Sequence, residues 1–395
     1  MWSLDLSPVA WTLVGVVAFC VIILLAVYRR RVAIVAGYPA VSEVDRATTG
    51  VERDVTMPPV SVIVYADSDA AGLSRMLPMV LAQDYPAPFE VIVINDGKDE
   101  ATADFVSRLQ LDHRNLYISF VPGDTRNLSR KKLALTIGVK AARYDVLLLT
   151  CADAVIPSSR WMSLMARHFR AASVDVVIGY AAPDFSVSRG LGSRFRAFDF
   201  AASGMRYLSS AILGHPYRGT GWNLAYRRSL FFRHKGFSRT LNLRYGDDDL
   251  FVSEVSNRSN TAIELSAGSV LMIAPDDLPR FCRDVKRRRL FTASRLRVPS
   301  RGVFALCSVA VWAWLAASVA AVVLCWGNLV VAAFLLVAAV TLWTPLVMVW
   351  RRAASVLRCP SPGLLLPLFM LWRPVAEAVA SIGARRARAR NYTWQ

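Results

Sequence analysis

VSVIVYADSDAAGLSRMLPMVLAQDYPAPFEVIVINDGKDEAT, residues 60–102, sets two short apolar runs on either side of an amphipathic stretch. Val60–Tyr65 and Glu90–Asn95 are continuous, β-branched-rich runs bounded by turn residues, the pattern of strands buried on both faces. Between them Leu73, Met76, Leu77, Val80 and Leu81 fall on one helical stripe. The alternation continues outward with apolar runs at Leu116–Val121 and Asp145–Thr150 and a helical stretch from about Arg130 to Arg143. Repeated β-α-β units imply a mostly parallel sheet, whose ligands bind beyond the carboxyl ends of the strands. Acids stand at three of those ends: Asp67 and Asp69, Asp96 after Asn95, and Asp153.

On both sides of this domain the chain becomes membrane-like. Of its 395 residues 54% are hydrophobic, too many for an ordinary soluble enzyme. Val9 to Tyr28 is an uncharged run of twenty residues, long enough to cross a bilayer, and Arg29, Arg30 and Arg31 follow at once. Positive flanks stay in the cytoplasm, which places the N-terminus outside and the sheet domain inside. No positive residue precedes the run, which argues against a cleaved signal peptide. Val303 to Trp350 is too long for one crossing, and Gly327-Asn328 divides it into a transmembrane hairpin. The last apolar segment, from Gly363 to Ile382, is interrupted by Pro367, Arg373, Pro374 and Glu377, which fits an interfacial or re-entrant segment. The expected organisation is residues 1–31 as an N-terminal transmembrane helix with its basic flank, 50–280 as a cytosolic domain, 281–301 as a basic membrane-proximal segment, 303–350 as two transmembrane helices and 363–395 as an interfacial segment with a basic tail.

The formal charge of +18 invites a nucleic-acid reading, but 15 of those charges lie in residues 280–301 and 351–395, beside apolar segments. Basic clusters so placed suit an anionic lipid surface, and no nucleic-acid-binding signature accompanies them, so membrane lipids and not nucleic acid are the expected partners. The six cysteines show no CxxC or Cys/His metal spacing and read as reduced structural thiols.

From about Val60 to Ser294 the chain resembles membrane-bound family 2 glycosyltransferases, which have the GT-A fold. Several motifs recur in that family's order. Asn95-Asp96-Gly97 is similar to its Asp-Asp-Gly turn, where the aspartate accepts a hydrogen bond from the nucleotide base; capping of the turn is the competing reading. In RKKLALT, Lys131 stands at the family's lysine near the phosphates, and for Lys132 a solvated helix face explains the charge nearly as well. Thr150-Cys151-Ala152-Asp153 occupies the Asp-x-Asp position that holds a divalent ion, Mg²⁺ or Mn²⁺. Asp153 matches the second aspartate, whereas Cys151 replaces the first with a soft ligand poorly suited to either ion, which puts the metal requirement in doubt. Pro157 and Trp161 follow that pattern. Gly219, Gly221 and Asn223 resemble the segment lining the acceptor side. In Gly246-Asp247-Asp248-Asp249 the resemblance implies a general base, assigned to Asp248 with Asp247 as the alternative register, and like-charged neighbours such as Asp249 raise a carboxylate's proton affinity. Processive synthases of the family carry a Gln/Arg-x-x-Arg-Trp motif. Here Arg288 and Arg289 supply cations for a diphosphate clamp but no tryptophan follows, and a purely electrostatic membrane-surface helix is the rival reading.

The resemblance implies an inverting, hexosyltransferase-type enzyme. It would move a sugar from a nucleotide donor, UDP-linked, to a lipid-linked or growing polysaccharide acceptor at the cytosolic face of the cell (inner) membrane. A processive polysaccharide synthase and a catalytically degenerate nucleotide-sugar-binding relative are the competing readings. The Arg-rich, Lys-poor composition points to a GC-rich bacterial genome.

Overall fold

A computed structural model describes residues 7–49, 56–67, 69–96, 100–122, 128–296 and 301–390; side chains at 39–49, 301 and 384–390 are not described. In chain order the elements are α1 (Pro8–Thr49), β1 (Val60–Ala66), α2 (Ala70–Leu81), β2 (Phe89–Asn95), α3 (Glu100–Gln110), β3 (Leu116–Phe120), α4 (Arg130–Ala141), β4 (Val146–Cys151), β5 (Ala154–Val155), α5 (Trp161–Ala166), β6 (Val176–Ile178), β7 (Ala181–Pro183) and α6 (Leu191–Ile212). Then follow β8 (Leu224–Arg227), α7 (Arg228–Arg233), α8 (Asp249–Val255), β9 (Thr261–Ile263), β10 (Leu271–Ile273), α9 (Leu278–Thr292), α10 (Arg301–Leu324), α11 (Leu329–Val356) and α12 (Leu366–Arg390).

The fold is mixed α/β with a mostly parallel sheet, in the strand order β3-β2-β1-β4-β8-β6-β9. The four apolar runs read from the sequence form the parallel part, β1 pairing with β2 and β4, and β2 with β3. β8 runs antiparallel between β4 and β6. Every position of β4 is buried, as expected of a strand covered on both faces. On α2 the stripe Leu73, Met76, Leu77 and Val80 is buried against the sheet. A small sheet, β5-β10-β7, lies just past the end of β4 and holds the turn that carries Asp153, where Ala274 N–H donates to the Asp153 carbonyl at 3.1 Å.

Among the described residues four helices are long and apolar enough to cross a membrane: Pro8–Tyr38, Gly302–Leu324, Leu329–Val356 and Gly363–Gly383. Packed against both α10 and α11, α1 continues unbroken through Arg29–Arg31 to Thr49. At about 1.5 Å per residue that helix is roughly twice the length a bilayer core requires. At the end of that apolar span, Tyr38 donates to the Ile263 carbonyl on β9 at 3.4 Å. The hairpin turn falls at the expected place for a physical reason. Gly327 has φ +84°, and the Asn328 side chain caps α11 by accepting from Val330 N–H and Val331 N–H at 3.0 and 3.2 Å.

The final segment differs from its reading as an interrupted one. α12 is continuous through Arg373, Pro374 and Glu377. Its two interrupting charges are paired: Arg373 pairs with Asp199 of α6 at 2.9 Å and with Glu377 at 2.8 Å, and Arg206 of α6 pairs with Glu377 at 3.2 Å. Pro367 sits in the first turn, where a missing N–H costs nothing.

Candidate active site

The carboxyl ends of β1, β2 and β4 meet the loop before α8 around Gly221. Gly221 N–H donates to Asp248 Oδ2 at 3.0 Å, and the Cys151 thiol lies 3.8 Å from the Gly221 carbonyl. A Cβ placed on Gly221 would stand 3.5 Å from both Lys131 Nζ and Asp247 Oδ2, so the backbone here passes directly beside the charged pair.

Lys131, on the first turn of α4, reaches Asp247 Oδ2 at 2.8 Å and lies 5.4 Å from the Tyr65 ring centroid. Burial opposes its charge, but the Asp247 carboxylate outweighs burial and raises its proton affinity. The reverse holds for Asp247, where burial pushes the carboxyl up and Lys131 holds it below the ordinary range. Arg288 adds a second cation on this side, 5.6 Å above the Tyr245 ring. Arg289 is one residue on and points elsewhere, over Phe200 at 4.7 Å. Burial and then Arg218 lower its proton affinity. The surface-helix reading of this segment does not describe α9, since Val285 is buried, Phe281 packs on Trp222 at 5.5 Å and Lys286 pairs with Asp199 at 2.9 Å.

The three aspartates divide their work. Asp248 caps α8, its Oδ1 accepting from Asp249 N–H at 2.7 Å, and remains half-buried. Asp249 is buried, accepting from Thr292 of α9 and from Arg218 at 3.2 Å. Burial, then the Asp248 charge, push its carboxyl up to about 6. The raised proton affinity expected of the triplet thus falls on the member that faces inward.

Asp96 ends β2, buried, accepting from the Tyr65 hydroxyl at 2.7 Å and from Arg130 Nε at 2.9 Å. Burial raises its proton affinity against both of those donors. Gly97, the other half of that motif, lies outside the described residues. Asp67 is exposed beyond β1, and Asp69 spends one oxygen capping α2 by accepting from Gly72 N–H at 2.7 Å. Asp153 accepts from the Trp222 indole N–H at 2.9 Å, and burial raises its proton affinity. Burial pushes the Cys151 thiol up to about 12. Among the described residues no three His, Cys, Asp or Glu side chains converge as a metal-ligand set. Asp153 would supply a hard carboxylate oxygen to Mg²⁺ or Mn²⁺, ions that are commonly held by one or two carboxylates together with water and substrate phosphate.

Two readings are corrected. Asn223, expected on the acceptor side, is wholly buried, donating to the Tyr180 and Ser269 carbonyls at 2.9 and 2.8 Å and accepting from Trp161 at 3.1 Å. It shapes the turn from within. Lys132 is not on a solvated face: it is fully buried, and its ammonium donates to the carbonyls of Thr240, Leu243 and Tyr245 at 2.5, 3.2 and 3.0 Å. Tyr65, Arg130, Trp222 and Thr292 carry contacts in the site that no motif announced. Tyr65 alone had a signal, as the last residue of an apolar run.

Solved structures with a similar fold include the mannosyltransferase PcManGT from Pyrobaculum calidifontis in complex with GDP-Man and Mn²⁺. It is 20% identical, with a TM-score of 0.49 over 92% of this chain and 99% of that one. S. aureus TarS 1–349 in complex with UDP-GlcNAc is 13% identical, with a TM-score of 0.40 over 85% and 93%. Glucosyl-3-phosphoglycerate synthase from Mycobacterium tuberculosis, in complex with Mn²⁺, UDP and glucosyl-3-phosphoglycerate, is 14% identical, with a TM-score of 0.37 over 62% and 82%. No curated protein sequence matches the chain significantly. The model of glycosyl transferase family 21 matches residues 16–382, running through membrane helices and sheet alike. The glycosyltransferase reading of the chain therefore holds, and the chain belongs to glycosyl transferase family 21.

Proposed function

We propose that the protein is an inverting glycosyltransferase that carries a sugar from a UDP-linked donor to a lipid-linked or growing polysaccharide acceptor at the cytosolic membrane face. The observation that carries this is the convergence of Lys131, Asp247, Asp248 and the Gly221 backbone at the carboxyl ends of the sheet, in a chain whose flanking helices are membrane-length.

In this reading Asp96, positioned by Tyr65 and Arg130, faces the base. Lys131 and Arg288 meet the departing diphosphate, as fixed positive charges stabilise charge developing on a leaving group. Asp248 takes the acceptor hydroxyl proton. Asp247 is committed to Lys131 and Asp249 to Thr292 and Arg218, whereas half-buried Asp248 accepts from the backbone N–H groups of Gly221 and Asp249 and forms no ion pair among the described residues. Direct attack by the acceptor oxygen, without an enzyme nucleophile, inverts the anomeric centre. A divalent ion would add charge neutralisation at the diphosphate, with Asp153 as its protein contact; no step above depends on it. The arginine flanks favour a cytosolic sheet domain, and the ion pairs from α12 to α6 support a reading in which α12 lies along the interface.

The test is transfer of radiolabelled sugar by the full-length protein in lipid nanodiscs. Asp248→Asn should lower kcat by at least about 100-fold, and turnover within a few-fold of the parent would sink the base assignment. Product length on a gel separates single transfer from processive synthesis.

A further inference from the structure

Where α1, α6, α10, α11 and α12 meet, a partly open pocket of about 60 Å³ lies between the helices. Its walls are of two kinds. Val27, Tyr28, Val311, Trp350 and Met370 make an apolar slot between the membrane helices. At one end stand three guanidinium groups, of Arg31, Arg206 and Arg373, against the single carboxylate of Glu377.

Arg373 is neutralised by Asp199 and Glu377. Arg31 and Arg206 are different. Their guanidinium carbons flank one ring, 6.0 and 5.1 Å from the Phe304 centroid. Arg31 reaches the Ser210 hydroxyl only at 3.5 Å and forms no ion pair among the described residues. Arg206 shares Glu377 with Arg373, and its Nε is buried without a hydrogen-bond partner. Guanidinium groups lining an apolar slot with less than one carboxylate between them are poorly compensated, and an oxyanion would supply what is missing.

Position says where that oxyanion comes from. Arg31 follows the apolar run of α1 directly, so the charged end of the pocket lies at the end of the bilayer-length stretch. The outer faces of α1 and α10 beside it expose Phe19, Ile22 and Val309, as lipid-facing surfaces do. Basic pockets between membrane helices on the cytoplasmic side suit anionic head groups. We propose that this pocket seats the phosphate of an anionic bilayer phospholipid between Arg31 and Arg206, with its acyl chains lying along α1 and α10. A soluble phosphate compound would leave the apolar slot unfilled, and a zwitterionic lipid would return its own positive charge to the cluster. The site is separate from the aspartate triplet, and its existence does not rest on the donor chemistry proposed above.

Native mass spectrometry of the full-length protein, titrated with phosphatidylglycerol or phosphatidylcholine in mixed micelles, tests it. Each well-placed arginine near an anionic head group contributes roughly fivefold, so phosphatidylglycerol should bind about thirtyfold more tightly than phosphatidylcholine. The Arg31→Gln/Arg206→Gln variant should lose that preference. Arg280→Gln/Arg287→Gln removes the same charge from an exposed face of α9 and should keep it. Equal binding of the two lipids by the unaltered protein overturns the proposal whether or not any variant folds. So does equal loss in both double variants, which would indicate general surface attraction, or displacement of the lipid by millimolar inorganic phosphate, which would indicate a head-group site without lipid specificity.

Discussion

Lys132 and Cys151 are the residues at which side-chain chemistry and local sequence diverge most. Burial pushes the Lys132 amine down to about 8, while the nearby aspartates pull the other way. Its three carbonyl bonds fasten residues 240–245, which lead straight into Asp247. Lys132→Met should leave those carbonyls unsatisfied and cost about 2–4 kcal/mol of stability, read as a lower unfolding midpoint. It should also depress kcat more than KM, because the loop that aims Asp248 loosens; an unchanged midpoint would show the three bonds to be dispensable. Cys151 is a thiol where an aspartate would add a hard ligand beside Asp153. Cys151→Asp should therefore raise Mn²⁺ affinity by about tenfold, measured by electron paramagnetic resonance of the free ion. An unaltered affinity would mean that Asp153, held by Trp222, is not turned toward the ion. The burial of Lys132 could not be read from sequence, because adjacent residues on a helix diverge by about 100° and only packing shows which one meets protein.

At the level of elements, two buried carboxylates fasten the loops between strands and titrate with opposite sign. Asp249 joins the start of α8 to the end of α9, and its carboxyl holds its proton up to about 6. The unfolded chain gives that proton up near 4, so the folded state binds more protons between the two values and stability is lost as pH rises through that window. The stability difference between the parent and Asp249→Asn should shrink by on the order of 2–3 kcal/mol from pH 4 to pH 6.5. Denaturant unfolding at a series of pH values checks this, and a difference independent of pH would rule it out. Glu264, after β9, behaves inversely. Burial pushes its carboxyl up, but the bonds from His168 and Arg167 hold it well below the ordinary glutamate range. Its stabilisation is present above the usual glutamate pKa and is lost as pH falls. The elements themselves were largely legible: β1 to β4 announced themselves as unbroken apolar runs. The antiparallel β8 and the three-residue strands β6, β7, β9 and β10 were not, since so short a run carries no period.

For the whole molecule, α6 is the keel that joins membrane helices to sheet domain. Its Asp199 sits between Arg373 of α12 and Lys286 of α9; burial pushes its carboxyl up, yet these two cations outweigh burial and hold it at about 2. Asp199→Ala would leave two cations facing each other and cost about 3 kcal/mol. Hydrogen exchange should rise along residues 366–383 while α10 and α11 keep their protection, and uniform protection would show that apolar packing alone docks α12. Sequence by itself determined what depends on composition and period: membrane-length apolar stretches, a mostly parallel sheet with acids at its strand ends, and basic clusters beside the apolar segments. These follow from local hydrophobicity, which each segment carries with it. Tertiary structure decided which charges are spent inside the protein and which remain for a ligand. Lys132, Asn223 and Asp249 turn inward, whereas Lys131, Asp248 and Arg288 converge around Gly221 and Tyr245. A charge costs little in water and much in an apolar interior, so its role is fixed by the partners that only the folded chain brings within reach.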